Sequence, residues 1–575
     1  MSDSRTKVSQ PPAPFLPATS RGVPQWCWVV ALALVLLKLV LVSHEEIVAF
    51  TDDDYGYAHS AFYWYWKVPY GTFSFSRQPV YPLFLAASDV FGIPARLWIE
   101  LTWAGAAGIM LVALRRLGLT LVAALAAFVL VLFHPWTVML FSRFLCDSLY
   151  GALLLPFLCA LAVGITRTNL ASALRWGSVA AVSGALAANT RVESILILGA
   201  VAVAGACVLG LYLAREADRR LSLRRGACVV LLPLVAIFGL THAFKAANLA
   251  HIGSYVTSDL DMPGFKMLYG ALLAIRPAHP DVRLSAPRDA REWAYARSPA
   301  FAQLRPFLES DPAVLGYTAQ TEAATGVKGE YGAWTVWGLR VAAWHLHPWQ
   351  SARELDAFYA KAGDEILAAL KAEPGAARWT PVTFVPPDWG QMFRELPASG
   401  GRCWRMLLFW DYWRHPDSKL DEAGTARFDA VGNRRLPLVL LNNEKPVEGA
   451  VWASAKNAAR LDRYKRSLFN LLKPVTIAAV VLLVAGTLVG VLGARRRVFP
   501  ASWYVLSALL ISAALGRFAI VALLDVTGIP VLMRYLFPLA APIMILGVLN
   551  AEALLALAAA VWRKRSLRRK SADQG

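Results

Sequence analysis

Charge is what this sequence has least of. Only 17% of its 575 residues are Asp, Glu, Lys or Arg, while 57% are hydrophobic. A soluble domain carries about a quarter charged residues, so the deficit argues against a soluble protein and for a polytopic membrane chain. Acid is scarcer than base, 39 residues against 58, for a net charge of +19. In a soluble protein that excess would suggest nucleic acid. Here the basic residues fall in short clusters between apolar runs, as cytoplasmic loops do, and no nucleic-acid partner is expected. Cysteine is also sparse: Cys27, Cys146, Cys159, Cys207, Cys228 and Cys403 lie mostly in or beside apolar runs and form no CxxC pair. This argues against a disulfide framework or a zinc site. His345 and His347 form an H-x-H, but no nearby carboxylate or cysteine completes a metal site around them. No repeat of solenoid or transporter-half period is present.

What the sequence does have is long apolar runs. A membrane span needs about 20 such residues, and ten candidates follow: 26–43, 97–114, 119–134, 147–165, 177–190, 194–213, 226–247, 474–494, 502–524 and 531–561. The basic clusters Arg115-Arg116, Arg167 with Arg175, Arg215 to Arg225, Arg495 to Arg497 and Arg563 to Lys570 are separated by pairs of these spans. All of them therefore fall on one side, together with the N-terminus. The run 177–190, rich in Gly, Ala and Ser, is the weakest, and the charge rule requires it. Small residues there suit a helix packed inside a bundle. The first run ends without an A-x-A site and reads as a retained anchor.

The expected fold is mainly α: a polytopic helical membrane protein of about 10 transmembrane helices. Its expected parts are a cytoplasmic tail at 1–25, a transmembrane catalytic module at 26–247 with an outer loop at 44–96, and a mostly helical extracytoplasmic domain at 248–471. The last three helices follow within 472–562, then a basic cytoplasmic tail at 563–575 that touches anionic lipid.

Ionisable residues gather at the outer ends of the spans: Asp52, Asp53, Asp54, Arg77, Arg143, Asp147, Arg191, Glu193 and Arg534. A charge at the edge of a hydrocarbon slab is costly unless paired or facing water. Taken singly, each is an ordinary acidic flank or a snorkelling arginine. Together they imply a shared polar cavity on the outer face. The aromatics of 55–70 suit an amphipathic segment at the interface, or the stacking wall of a sugar site. His59 lies close to the acids and reads as structural.

The order of parts resembles the GT-C superfamily of membrane glycosyltransferases, which includes protein mannosyltransferases and the transferase that places aminoarabinose on lipid A. Asp53-Asp54-Tyr55-Gly56-Tyr57 resembles the family's paired-acid motif in the first outer loop. Arg77-Gln78-Pro79-Val80-Tyr81-Pro82 resembles its R-P-P-x-Y-P element, and Cys146-Asp147 with Leu149-Tyr150 its serine-acid pair opening a span. Thr190-Arg191-Val192-Glu193 resembles its T-R-x-E turn, and Arg534-Tyr535 with Pro538 its late R-Y-x-x-P helix. Three positions depart from the pattern: Asp54 for Glu, Gln78 for Pro and Asp147 for Glu. The insertion 248–471 resembles no donor- or acceptor-binding module of the family.

The resemblance implies a polyprenyl-phosphate-linked sugar donor and a lipid, glycan or protein acceptor, in a bacterial inner membrane with the site facing the periplasm. Phosphate is already a good leaving group, so one carboxylate to take the acceptor's proton is enough. Asp53 is the expected base with Asp54 beside it, and Asp52-Asp53 is the alternative register. Arg77, Arg191 and Arg534 suit the lipid phosphate, because guanidinium binds it bidentately and stays charged. Tyr57, Tyr81, Asp147, Glu193 and Tyr535 complete the expected substrate-binding set. No cofactor is required, and a divalent cation (Mg2+ or Mn2+) is the one candidate. Two other readings stand beside the enzyme: a transporter or flippase of a lipid-linked sugar, and a scaffold whose 248–471 domain binds a partner. Charges at one face rather than the midplane favour the enzyme.

The topology can be checked by cysteine labelling at Ser258 and Ser571. Ser258 should be accessible from outside and Ser571 only from the cytoplasm; equal outside accessibility at both would overturn the topology.

Overall fold

In the bilayer every backbone N–H and C=O must be satisfied within the segment, which leaves the helix as the form for a long apolar run. The computed structural model describes residues 22–42, 52–72, 74–214, 219–380, 388–409, 455–493 and 499–572. The expectations for 1–21, for 44–51 of the outer loop and for 410–454 of the insertion lie outside the described residues. Among the described residues ten helices are long and apolar enough to cross a membrane: Gln25–Val42, Ala95–Leu117, Leu121–Leu140, Cys146–Thr166, Leu170–Ala188, Ile195–Leu213, Leu223–Ile252, Arg466–Leu492, Ala501–Val526 and Met533–Leu567. The chain is a multi-pass helical membrane protein. Among the described residues the one β-type pairing is an isolated antiparallel bridge between Ile275 and Ala377.

The N-terminal half contributes α1 (Gln25–Val42), α2 (Asp52–Phe62), α3 (Val80–Val90), α4 (Ala95–Leu117), α5 (Leu121–Leu132), α6 (Pro135–Leu140), α7 (Cys146–Thr166), α8 (Leu170–Ala188), α9 (Ile195–Ala214) and α10 (Arg219–Ile252). α7 is the axis of the bundle. It is apolar all round and buried from Cys146 to Ile165 except at Leu153, as a helix with no polar face requires. α4, α8 and the helix Ala501–Val526 pack against it. The weak run at 177–190 belongs to α8, which starts earlier, at Leu170, because Asn169 caps it by accepting a hydrogen bond from the Ser172 backbone N–H (3.2 Å). Its glycines permit close packing: a Cβ on Gly184 would stand 2.8 Å from the Phe157 ring of α7.

α1 shows lipid-facing apolar residues on most of its surface, yet Lys38 is 1% exposed. Its Nζ donates to Thr137 Oγ1 (2.9 Å) and lies 2.7 Å from Glu100, which Arg96 also reaches at 2.9 Å. This buried trio ties α1 to α4 and α6 just before the chain runs out to α2.

The insertion after α10, expected to lie outside, folds around a second core. Helix Ala352–Ala372 buries Leu355, Tyr359, Ala362, Ile366 and Leu370, three or four residues apart, which makes one apolar stripe. That stripe packs on helix Pro263–Ala274 so tightly that a Cβ on Gly264 would stand 2.1 Å from the Asp356 carbonyl oxygen. The segment between α1 and α4 joins the two cores: Tyr57 and Tyr81 belong to the membrane core, Tyr65 and Phe75 to the outer one. The aromatic run 55–70 is therefore only partly interfacial. Phe62 and Trp64 are exposed, but Tyr57 and Tyr65 are buried, and Trp66 Nε1 donates to Asn248 Oδ1 of α10 (2.8 Å). The histidine pair also needs correcting, since carboxylates do stand beside it. His345 Nδ1 meets Asp311 (2.5 Å) and His347 Nε2 lies 3.6 Å from Glu354. These are two separate pairs, and no metal-holding cluster of three or more such groups occurs among the described residues.

Close helix approach yields a stability test. A Cβ on Gly547 would stand 2.5 Å from Ala479 Cβ and 2.7 Å from its Cα, and backbone cannot move aside cheaply. Gly547→Val should lose about 1–3 kcal/mol or more of stability in a detergent unfolding measurement. Gly199→Ala, with nothing within 4 Å, should be neutral or slightly stabilising.

Candidate active site

The site is assembled from helix ends and turns. Asp53 and Asp54 open α2, where negative charge complements the helix dipole. Neighbours on a helix diverge by about 100°, so the two acids cannot serve one place. Asp53 turns to a cavity of about 190 Å³. Asp54 turns inward, is 0% exposed, and is gripped by Arg143, whose Nε donates to its Oδ1 at 3.3 Å and whose terminal nitrogen meets Oδ2. The expected acid pair is thus split: one carboxylate faces the cavity, and the other anchors the turn before α7. The Asp52 side chain lies outside the described residues.

Asp53 is held from both sides. Arg77 donates to Oδ1, and Arg534 donates to Oδ2 at 2.6 Å. Arg534 also donates to the Tyr535 hydroxyl (3.0 Å) and lies 4.9 Å from that ring's centroid. Across the cavity, the turn between α8 and α9 folds Arg191 back on Glu193 as a fork, with Nε and the terminal nitrogen at 2.7 and 2.8 Å. The other arm of Arg191 reaches Asp147 in the first turn of α7. Of the residues expected from sequence, Asp53, Tyr57, Arg77, Asp147, Arg191, Glu193, Arg534 and Tyr535 line one cavity. Tyr81 does not line it; it packs edge-on behind Tyr57, ring centroids 4.9 Å apart. His59 sits between the rings of Tyr55 and Tyr63.

The outer region supplies residues that sequence reasoning missed. Ser258, Leu260 and Trp337 line the cavity; Ser258 is only 2% exposed, so labelling of that region is better read at the exposed Trp379. Trp337 lies between two guanidiniums, Arg77 at 4.8 Å and Arg340 at 4.7 Å from its ring centroid. Arg340 is fixed in turn by Asp259 (2.5 Å) and the Thr72 carbonyl (3.0 Å). Nothing periodic in the sequence marks Trp337. Arg517 was also missed, although a lone arginine inside an apolar run was the signal. It is 2% exposed, and its NH1 stands 3.2 Å from Glu193.

These pairings set the charge states outside the spans. Burial alone would raise the Asp53 carboxyl, but Arg77 and Arg534 outweigh it and hold Asp53 well below the usual carboxylate range. Glu193 is likewise held low, with Arg191 and Arg517 overcoming its burial. For Asp54 burial prevails over Arg143 and pushes the carboxyl up to about 6. With both Asp53 oxygens engaged by guanidiniums, the described donor set does not fit a divalent cation there.

The Asp54–Arg143 pair yields a pH test. A carboxyl raised from 3.8 to about 6 on folding contributes stability that is complete below 3.8 and is lost as pH rises through the folded value. Without Arg143 that value climbs further, so Arg143→Met should cost about 3–5 kcal/mol at pH 7 and visibly less at pH 5. An equal penalty at both pH values, read by thermal unfolding, would show that Asp54 is not the group responsible.

No family model and no curated protein matches the chain. Among solved structures the chain is similar to ArnT from Cupriavidus metallidurans in the apo state, at 15% identity over 88% of this chain and 78% of that one, TM-score 0.31. It is similar also to the same protein bound to undecaprenyl phosphate, at 13% identity over 92% and 78%, TM-score 0.31. Superposition at that level carries no argument about the site or its chemistry.

Proposed function

We propose that this protein is an integral-membrane glycosyltransferase of GT-C type, moving a sugar from a polyprenyl-phosphate-linked donor to an acceptor hydroxyl on the periplasmic face of a bacterial inner membrane. The observation that supports this most is Asp53, a carboxylate facing a cavity at the span ends and clamped between two guanidiniums. A cavity at the span ends suits a lipid phosphate better than the midplane site of a transporter would.

The chemistry follows from the pairing. A donor phosphate entering the cavity competes with Asp53 for Arg77 and Arg534, because guanidinium binds phosphate bidentately. As they turn to phosphate, Asp53 loses the two charges that depress it and becomes basic enough to work. It then takes the acceptor hydroxyl's proton while that oxygen bonds to the anomeric carbon. The anomeric carbon–oxygen bond to phosphate breaks, and its electron pair leaves with the polyprenyl phosphate. The arginines neutralise the departing charge, and carboxylates nearby favour an oxocarbenium-like transition state. The base is thus weak until the donor is in place, which limits futile proton transfer. Acceptors of lipid, glycan or protein type all offer the required hydroxyl.

Asp53→Asn separates these roles. It should insert normally and bind undecaprenyl phosphate at least as tightly as wild type, since both arginines are released. Sugar transfer should fall ~10²–10⁴-fold. Arg534→Ala should weaken that binding, and Arg534→Lys restore it only in part. Full transfer activity in Asp53→Asn would remove Asp53 as the base.

A further inference from the structure

We infer that Arg517 is a reserve counter-ion that lets Arg191 leave its two carboxylates and engage a phosphate, an inference that rests on the phosphate-binding reading above. Arg517 belongs to the apolar helix Ala501–Val526 and is 2% exposed. Its Nε donates to the Tyr535 carbonyl oxygen at 2.6 Å, which fixes the direction of its head group. The two terminal nitrogens then face the carboxylates that Arg191 already holds: NH1 is 3.2 Å from Glu193 Oε1, and NH2 is 3.8 Å from Asp147 Oδ1. Neither terminal nitrogen completes a hydrogen bond.

Two carboxylates are therefore shared by two guanidiniums on unequal terms. Arg191 has the short contacts and lines the cavity; Arg517 has the long ones and does not line it. Buried donors left without partners are disfavoured, yet Arg517 balances the charge of the second carboxylate here only through loose contacts that complete no hydrogen bond. Its position makes sense when Arg191 moves. A phosphate in the cavity draws Arg191 away from Glu193 and Asp147. Left alone, those carboxylates would be buried anions without a counter-charge, a strongly unfavourable state that would oppose phosphate binding. A small rotation of the Arg517 head group closes its loose contacts and keeps both anions paired. Arg517 thus acts through Arg191 as a positioning residue, setting how freely Arg191 serves the phosphate without touching substrate itself.

The test is a titration of full-length protein in lipid nanodiscs with undecaprenyl phosphate, followed by tryptophan fluorescence. Arg517→Gln should bind roughly tenfold more weakly than wild type or worse. Glu193→Gln removes the anion that needs a partner, so the double variant Arg517→Gln/Glu193→Gln should return to near wild-type affinity. A packing role for Arg517 would give no such rescue. Should Arg517→Gln fail to fold, Arg517→Lys with and without Glu193→Gln gives the same comparison on a smaller scale. Wild-type affinity in the single variant, or a double variant as weak as the single, would overturn the inference. Failure of the wild type to bind undecaprenyl phosphate would instead sink the phosphate reading, and the inference with it.

Discussion

A carboxylate at the edge of a hydrocarbon layer must find a positive partner, and the span ends around the cavity are arranged around that demand. Asp54 takes Arg143, Asp53 takes Arg77 and Arg534, and Asp147 and Glu193 share Arg191 and Arg517. Each partner comes from a different stretch of chain, so satisfying the charges also fixes how α2, α7, the α8–α9 turn and the last two spans sit together. Replacing such pairs by apolar residues is often neutral for stability. Arg77, Arg191 and Arg534, which line the cavity, are already largely desolvated, so little further desolvation would be needed to receive an anion there.

The split of the aspartate run follows from helix geometry. Had the run been extended, Asp53 and Asp54 would also have faced opposite ways, and a shared site for two neighbours would have needed a special turn. Of these two neighbours on α2, Asp54 serves as an anchor and Asp53 reaches the cavity. The two acids then differ in environment as well as direction, one pushed up by burial and the other held down by arginines.

The spans were legible because length and apolarity are local properties that survive averaging over a window. Span ends were legible through Arg191, Glu193 and Arg534, which interrupt apolar runs where water begins. The same averaging hid Lys38, Arg96, Glu100 and Arg517, single charges inside or beside runs otherwise apolar enough to absorb them. Trp337 and Ser258 were hidden for a different reason. Their place at the cavity depends on how the outer helices fold back over the bundle, a pairing with no sequence period. Tyr81 was a partial miss of the same kind, since a motif names a residue without saying which side of its neighbour it occupies.

The clamp on Asp53 joins residues 24 and 481 positions apart, Arg77 and Arg534. During synthesis, Asp53 and Arg77 emerge early, Trp337 follows with the insertion after α10, and Arg534 arrives only with the helix Met533–Leu567. Half of the clamp is therefore missing for nearly the whole time the ribosome is at work. Until then the nascent chain can hold Asp54 with Arg143, Asp53 with Arg77, and Asp147 and Glu193 with Arg191, and the full set of pairings needs the helices that carry Arg517 and Arg534. Assembly order thus makes entry of the helix that carries Arg534 the step that completes the clamp.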